Sequence, residues 1–137
     1  YSWTYYPHAL EYLMAIGDLD ARMGGKLLAH TNKRDQSIHD AVRFYVNSLS
    51  DPSSPELMRK YSAYNLGVEG RRDGENPYSN WRRQRALGYH YYQAWFPIYR
   101  KHFPNRPETK AFARLIRGAK APELSYHLGL DTWCVFG

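Results

Sequence analysis

The sequence predicts an all-α protein built of packed antiparallel helical hairpins. Apolar residues recur at helical spacing in several segments, and Gly, Pro and Ser separate these segments. No pair of alternating runs indicates a β-hairpin. A chain of 137 residues is the usual size of one domain, so residues 1–137 are predicted to form a single helical domain or a fragment of a longer chain.

The N-terminal third of the chain predicts one or two helices. Pro7 suits the first turn of a helix, and the apolar residues that follow it recur at helical spacing: Ala9, Leu10, Leu13, Met14 and Ile16. Gly17 interrupts this pattern. Residues 19–30 are therefore predicted either to continue the first helix or to form a second one.

A clearer helix follows in the sequence SIHDAVRFYVNSL, with Asp35 or Ser37 as its N-cap. Its apolar stripe comprises Ile38, Val42, Tyr45 and Val46. After a loop, Ser54 and Pro55 signal the start of a short helix that is expected to end near Gly67.

Residues 67–80 are rich in glycine and predict a surface loop. The longest predicted helix begins at Ser79 or Asn80 and runs to Phe103, and Pro97 is expected to kink it. Pro104 and Pro107 then mark a turn into a last clear helix. The predicted buried face of that helix comprises Ala111, Phe112, Leu115 and Ile116.

Charge and aromatic content indicate a polyanionic ligand. The net charge is +6, and aromatic residues make up 16% of the chain, including thirteen tyrosines. A basic chain with many rings suits nucleic acid or an acidic polysaccharide. Cys134 is the only cysteine, which rules out an intrachain disulfide, and the histidines lack metal-ligand spacing, so no metal or cofactor is expected. No apolar run reaches membrane-spanning length.

The segment NWRRQRALGYHYY, residues 80–92, has the highest density of chemically active side chains. On a helix, Arg82 and Tyr89 lie almost in line, with Arg85 between them and His90 beside them. Two guanidinium groups near a phenol favour its charged form and lower its pKa, and they offer a forked site for carboxylate or phosphate. The alternative is an ordinary helix surface with cation–π contacts and no ligand.

Residues 82–92 resemble a segment of the mannuronate-type alginate lyases, Arg-x-x-Arg-Ala-Leu-x-Tyr-His-x-Tyr. The upstream TNKRD, residues 31–35, is similar to the Thr-Asn-Arg-Arg-Asp of that family. The resemblance implies an α/α toroid whose cleft binds a polyuronate and cleaves it by β-elimination without a cofactor. It also implies a periplasmic or secreted location.

Carried over by position, the resemblance implies a role for each matching residue. Arg82 would lie near the substrate carboxylate, Tyr89 would move protons, and His90 would support the catalysis. Substrate binding is assigned to Arg85, Trp81, Tyr92 and His8. The Asn-His element of the family is missing, since Met14, Ala15 and Ile16 stand at the matching offset. The site therefore requires another subunit or a further chain segment to complete it.

Two other classes of function remain open. Three basic clusters interleaved with aromatic residues are typical of proteins that grip nucleic acid: RKYSAYNLGVEGRR, NWRRQR and YRKHF. In this alternative the helix arginines share the contacts with Arg59, Lys60, Arg71 and Arg72. No helix-turn-helix, zinc or RNA-binding motif accompanies them. The third class is a helical structural subunit without a ligand.

Overall fold

A computed structural model describes residues 6–51 and 93–116 of the chain. These ranges contain four α-helices and one 3₁₀-helix. The helices are α1 (Tyr6–Arg22), the 3₁₀-helix η1 (Leu27–Ala29), α2 (Ile38–Ser50), α3 (Trp95–His102) and α4 (Pro107–Leu115). Across the same two ranges no strand occurs, and Thr31 and Ser37 form an isolated β-bridge. The predicted all-α class is confirmed.

Helix α1 continues through Gly17 and ends at Arg22. Gly17 is buried, and a Cβ atom there would overlap Cδ2 of Leu28. The missing side chain therefore lets η1 fold back and insert Leu28 against the helix. Gly24, with φ of +84°, makes the turn that reverses the chain.

The turn between η1 and α2 is organised by Asn32. Its Oδ1 accepts hydrogen bonds from the backbone N–H groups of Arg34 at 2.8 Å and Gln36 at 3.1 Å. Asp35 takes a left-handed backbone conformation with φ of +54°. Ser37 is the N-cap of α2, and the carboxylate of Asp40 reaches back to it, where Oδ2 accepts hydrogen bonds from the Ser37 N–H and hydroxyl, both at 2.8 Å. Of the two predicted N-caps, Ser37 is correct.

Helix α3 begins later than the predicted long helix would require. Gln93 and Ala94 form a 3₁₀-like turn, and the α-helix starts at Trp95. Pro97 therefore lies in the first turn, where backbone N–H groups have no partner within the helix. The irregular turn lies three to four residues before Pro97, and the predicted helix that would precede it lies outside the described residues, so the kink at Pro97 stays a prediction. Pro107 occupies the first turn of α4 in the same way.

The four helices form two antiparallel hairpins. Tyr6 stacks on Tyr45, and Tyr45 contacts Trp95 with ring centroids 6.0 Å apart, which brings together the start of α1, the middle of α2 and the start of α3. At the other end, Asp18 of α1 contacts His102 of α3. Helices α1 and α3 therefore run parallel, and α2 and α4 run in the opposite direction.

Aromatic rings fill the core between the hairpins. Trp95 lies 4.7 Å from Phe112 and 5.9 Å from Tyr99 between ring centroids, and Phe96 lies 4.9 Å from Phe112. Aliphatic side chains close the core around these rings: Leu10, Met14, Leu28, Val42, Val46, Leu49, Ile98 and Ile116. Offset and edge-to-face ring pairs add to the stabilisation that burial provides. The stripes predicted for α2 and α4 are thus confirmed.

The predicted short helix at 54–67, the loop at 67–80 and the C-terminal tail lie outside the described residues. The predicted toroid remains a prediction, because two hairpins are compatible with several helical architectures.

Candidate functional site

Most of the predicted site lies outside the described residues. This holds for the proposed catalytic residues Arg82, Tyr89 and His90, and for the proposed substrate contacts Trp81, Arg85 and Tyr92. His8 is the predicted site residue that the described ranges include, and it occupies the first turn of α1.

His8 lies beside a buried carboxylate. Its Nδ1 is 3.7 Å from Oε2 of Glu11, and the Glu11 side chain is almost fully buried while the imidazole keeps 17% of its surface exposed. His8 thus lies partly exposed beside Glu11 at the N-terminal end of α1.

The parallel packing of α1 and α3 determines where His8 stands relative to the chain entering α3. Asp18 is level with His102, so a rise of about 1.5 Å per residue in both helices places Glu11 about level with Trp95. His8 lies roughly one turn before that level. The structure therefore places His8 at the end of the bundle where the chain arrives from residue 92.

A second polar cluster surrounds Asp18. Oδ1 of Asp18 accepts hydrogen bonds from Nζ of Lys101 at 2.8 Å and Nε2 of His102 at 2.7 Å, and Oδ2 accepts one from Nε of Arg22 at 2.7 Å. Burial alone would raise the pKa of Asp18, but these donors outweigh it and lower the pKa to about 2. The carboxylate is ionised at neutral pH and ties α1 to α3.

A third cluster surrounds Glu108 at the start of α4. Arg43 of α2 contacts Oε1 through Nη2 at 2.7 Å, and Arg106 contacts Oε2 through Nε at 3.3 Å. Burial favours the neutral acid, but a backbone hydrogen bond and the Arg43 guanidinium lower the pKa of Glu108 below its usual value. This carboxylate joins α2 to α4.

Tyr99 and His39 connect this third cluster to the core. The Tyr99 hydroxyl lies 2.9 Å from Nδ1 of His39. Burial and the negative charge of Glu108 raise the pKa of Tyr99 to about 12, whereas burial and Arg106 lower the pKa of His39. The phenol is therefore the donor and Nδ1 of a neutral imidazole is the acceptor.

These two carboxylate clusters join the helices to one another. Tyr99 has no exposed surface, so a polymer cannot reach its hydroxyl. The His39 ring is partly buried, and its centroid lies 4.5 Å from that of Phe103. No short sequence motif predicts either cluster. The partners of Asp18 lie up to 84 residues away in the chain, and those of Glu108 lie up to 65 residues away.

The TNKRD turn, residues 31–35, is exposed and precedes α2. Residues 6–51 and 93–116 contain no group of three metal-ligand side chains placed to hold an ion. Among the helices of these ranges, none has both the length and the apolar character needed to cross a bilayer. No family model, curated protein or solved structure matches the chain.

Proposed function

We propose that this protein binds an acidic uronate polysaccharide and cleaves it by β-elimination without a cofactor. The observation that carries the proposal is the Arg-x-x-Arg-x-x-x-Tyr-His spacing of residues 82–90. The position of His8 supports it, because this histidine stands at the end of the bundle where the chain enters α3 after residue 92.

The proposed reaction uses the arginines and the tyrosine in complementary roles. Arg82 neutralises the uronate carboxylate, which makes the adjacent C5 proton more acidic. Tyr89, activated by Arg82 and Arg85, removes that proton or protonates the leaving oxygen. The C5–H and C4–O bonds break, a C4–C5 double bond forms, and the leaving oxygen receives a proton. His90 supports these proton transfers.

The remaining predicted residues contact the substrate. Trp81 and Tyr92 provide ring faces for stacking on the sugars, and His8 donates a hydrogen bond from the neighbouring helix end. The family's Asn-His element is absent, so a further subunit or chain segment supplies the missing part of the site. The same proposal places the protein in the periplasm or outside the cell, where it would encounter such polymers.

Ultraviolet absorbance tests the reaction directly. The folded protein is mixed with polymannuronate, polyglucuronate or polyguluronate, and the new C4–C5 double bond is followed. A rise with one polymer establishes the elimination. Tyr89→Phe is then expected to abolish turnover while binding persists, whereas Tyr12→Phe, at an exposed tyrosine of α1, keeps full activity. Equal turnover by Tyr89→Phe excludes the proposed role of Tyr89.

Two further substitutions separate binding from chemistry. Arg82→Ala is expected to weaken both affinity and rate, and an unchanged affinity for uronates argues against its carboxylate contact. His8→Gln is expected to raise KM, with exposed His30→Gln as its control. If all three polymers give a flat trace and oligonucleotides bind with a steep salt dependence, the nucleic-acid alternative replaces the lyase.

A further inference from the structure

Helix α1 has an inverted distribution of polar and apolar side chains. Two of its acids, Glu11 and Asp18, face the interior. The outward face carries large apolar side chains instead, and Met23 continues it directly after the helix end. Their exposed fractions run from 46% to 80%: Tyr12, Leu13, Ile16, Leu19 and Met23. No charged residue interrupts this outward face between residues 9 and 19. A helix that is apolar outside as well as inside is typical of a helix buried on both sides.

The spacing of the outward residues is that of a coiled-coil seam. Ala9, Tyr12, Ile16, Leu19 and Met23 alternate in steps of three and four residues, which are the a and d positions of a heptad. Leu13 extends the seam on one side. This pattern favours a second helix lying along α1.

We propose that the partner of this face is a second copy of the same chain, with the two α1 helices packed antiparallel about a two-fold axis. An axis between residues 17 and 18 sets Ile16 against Leu19 of the partner subunit. The same axis sets Tyr12 against Met23 of the partner subunit. In an isologous contact each of these pairs occurs twice.

Charge and area are consistent with a self-complementary pair. In this register Leu13 meets the aliphatic stem of Arg22 of the partner subunit, and Asp20 meets Ala15 of the partner subunit, so no like charges face each other. The five large side chains expose on the order of 600 Å², a large part of the roughly 800 Å² that each partner contributes to a standard interface. A sulfur–aromatic contact between Met23 and Tyr12 adds to this. The dimer is therefore expected to be specific but modest in affinity.

Sedimentation velocity of the whole 137-residue chain tests this inference, which is independent of the proposed lyase activity. At about 100 µM, well above a Kd of ~10 µM, the mass is expected to approach twice the 16.1 kDa of one chain and to fall on dilution. Ile16→Glu places a carboxylate in the seam and is expected to weaken association by ~30-fold or more.

Phe44→Glu is the matched control, since Phe44 of α2 is 57% exposed and Ile16 is 55% exposed. Circular dichroism confirms that both variants fold. The expected result at this concentration is that Phe44→Glu remains dimeric and Ile16→Glu is mostly monomeric. A wild-type chain that stays monomeric at every concentration overturns the inference, as does an Ile16→Glu variant that still dimerises. Loss of the dimer in both variants shows that the interface is not specific to α1, and it also overturns the inference.

Discussion

Oδ1 of Asp18 lies 2.7 Å from Nε2 of His102, 84 residues later in the chain, and this contact joins the C-terminal ends of α1 and α3. Because the carboxylate is ionised, Nε2 must carry the hydrogen. Lys101 donates to the same oxygen, and Arg22 donates to the other. One buried carboxylate thus accepts hydrogen bonds from three side chains on two helices. These contacts fix the parallel register of α1 and α3, which places His8 near the start of α3.

Replacing the charge of Asp18 is expected to destabilise the fold. Asp18→Asn keeps the shape but leaves three donors with a weaker acceptor, and we expect the free energy of unfolding to fall by about 3 kcal/mol. Urea unfolding followed by circular dichroism measures the change. Asp35→Asn is the control, because Asp35 is exposed and asparagine tolerates its left-handed backbone, so its change stays within ~0.5 kcal/mol. Equal losses in both variants contradict the role of the cluster.

The Asp18 cluster also predicts the acid limb of the stability curve. The folded pKa of Asp18 is about 2, below the ordinary 3.8, so the unfolded chain binds more protons between these values. Stability is therefore complete above the unfolded pKa and is lost as the pH falls through the folded pKa, by on the order of 2 kcal/mol. The lowered pKa of Glu108 acts in the same direction.

Urea midpoints at pH values of about 5, 4, 3 and 2 measure this acid limb. In Asp18→Asn the urea midpoint is expected to depend less on pH, because the variant has no carboxyl to protonate at that position. A variant as acid-sensitive as the parent protein would show that other carboxyls dominate.

Gly17→Ala is expected to destabilise the protein although alanine favours helices. The new methyl group meets Leu28, and overpacking of this kind costs about 1–3 kcal/mol, which exceeds the ~1 kcal/mol that alanine gains over glycine in a helix. Thermal unfolding measures the net change. In a Leu28→Ala background the same substitution is expected to stabilise the protein, because the obstructing side chain is gone. A stabilising Gly17→Ala in the parent chain shows that Leu28 moves aside without loss.

The His39–Tyr99 hydrogen bond predicts a histidine that resists protonation. Burial and the nearby Arg106 hold the pKa of His39 below its ordinary value, so its stability contribution is complete above the unfolded pKa of 6.5 and is lost as the pH falls. Proton NMR of the imidazole is expected to show this depressed titration.

Tyr99→Phe tests the same contact by removing the donor to Nδ1. It is expected to cost about 1 kcal/mol of stability and to raise the pKa of His39, because the neutral ring loses the hydrogen bond that favours it. If the His39 titration is unchanged in Tyr99→Phe, the hydroxyl does not hold the neutral imidazole.

Local signals predicted the helices well where each depended on neighbours in sequence. Ser37 as a cap, Pro107 in a first turn and the stripes of α2 and α4 follow from contacts within a few residues. The kink predicted at Pro97 stays a prediction, because Pro97 fits either a kink or a first turn and the residues before Gln93 that would separate the two lie outside the described ranges. Of the predicted site, the structure places His8 alone, and the chemistry of residues 81–92 remains a prediction from sequence.

The sequence by itself determined the helical class, because capping, turn chemistry and apolar spacing act over one or two turns of chain. Only the tertiary structure decided which face of α1 is inside. Apolar residues occur on both sides of this helix, so periodicity could not choose between Leu10 and Leu13. The choice depends on the buried carboxylate of Asp18, which pairs with Lys101 and His102 of α3, and that pairing spans more than eighty residues, beyond the reach of any local pattern.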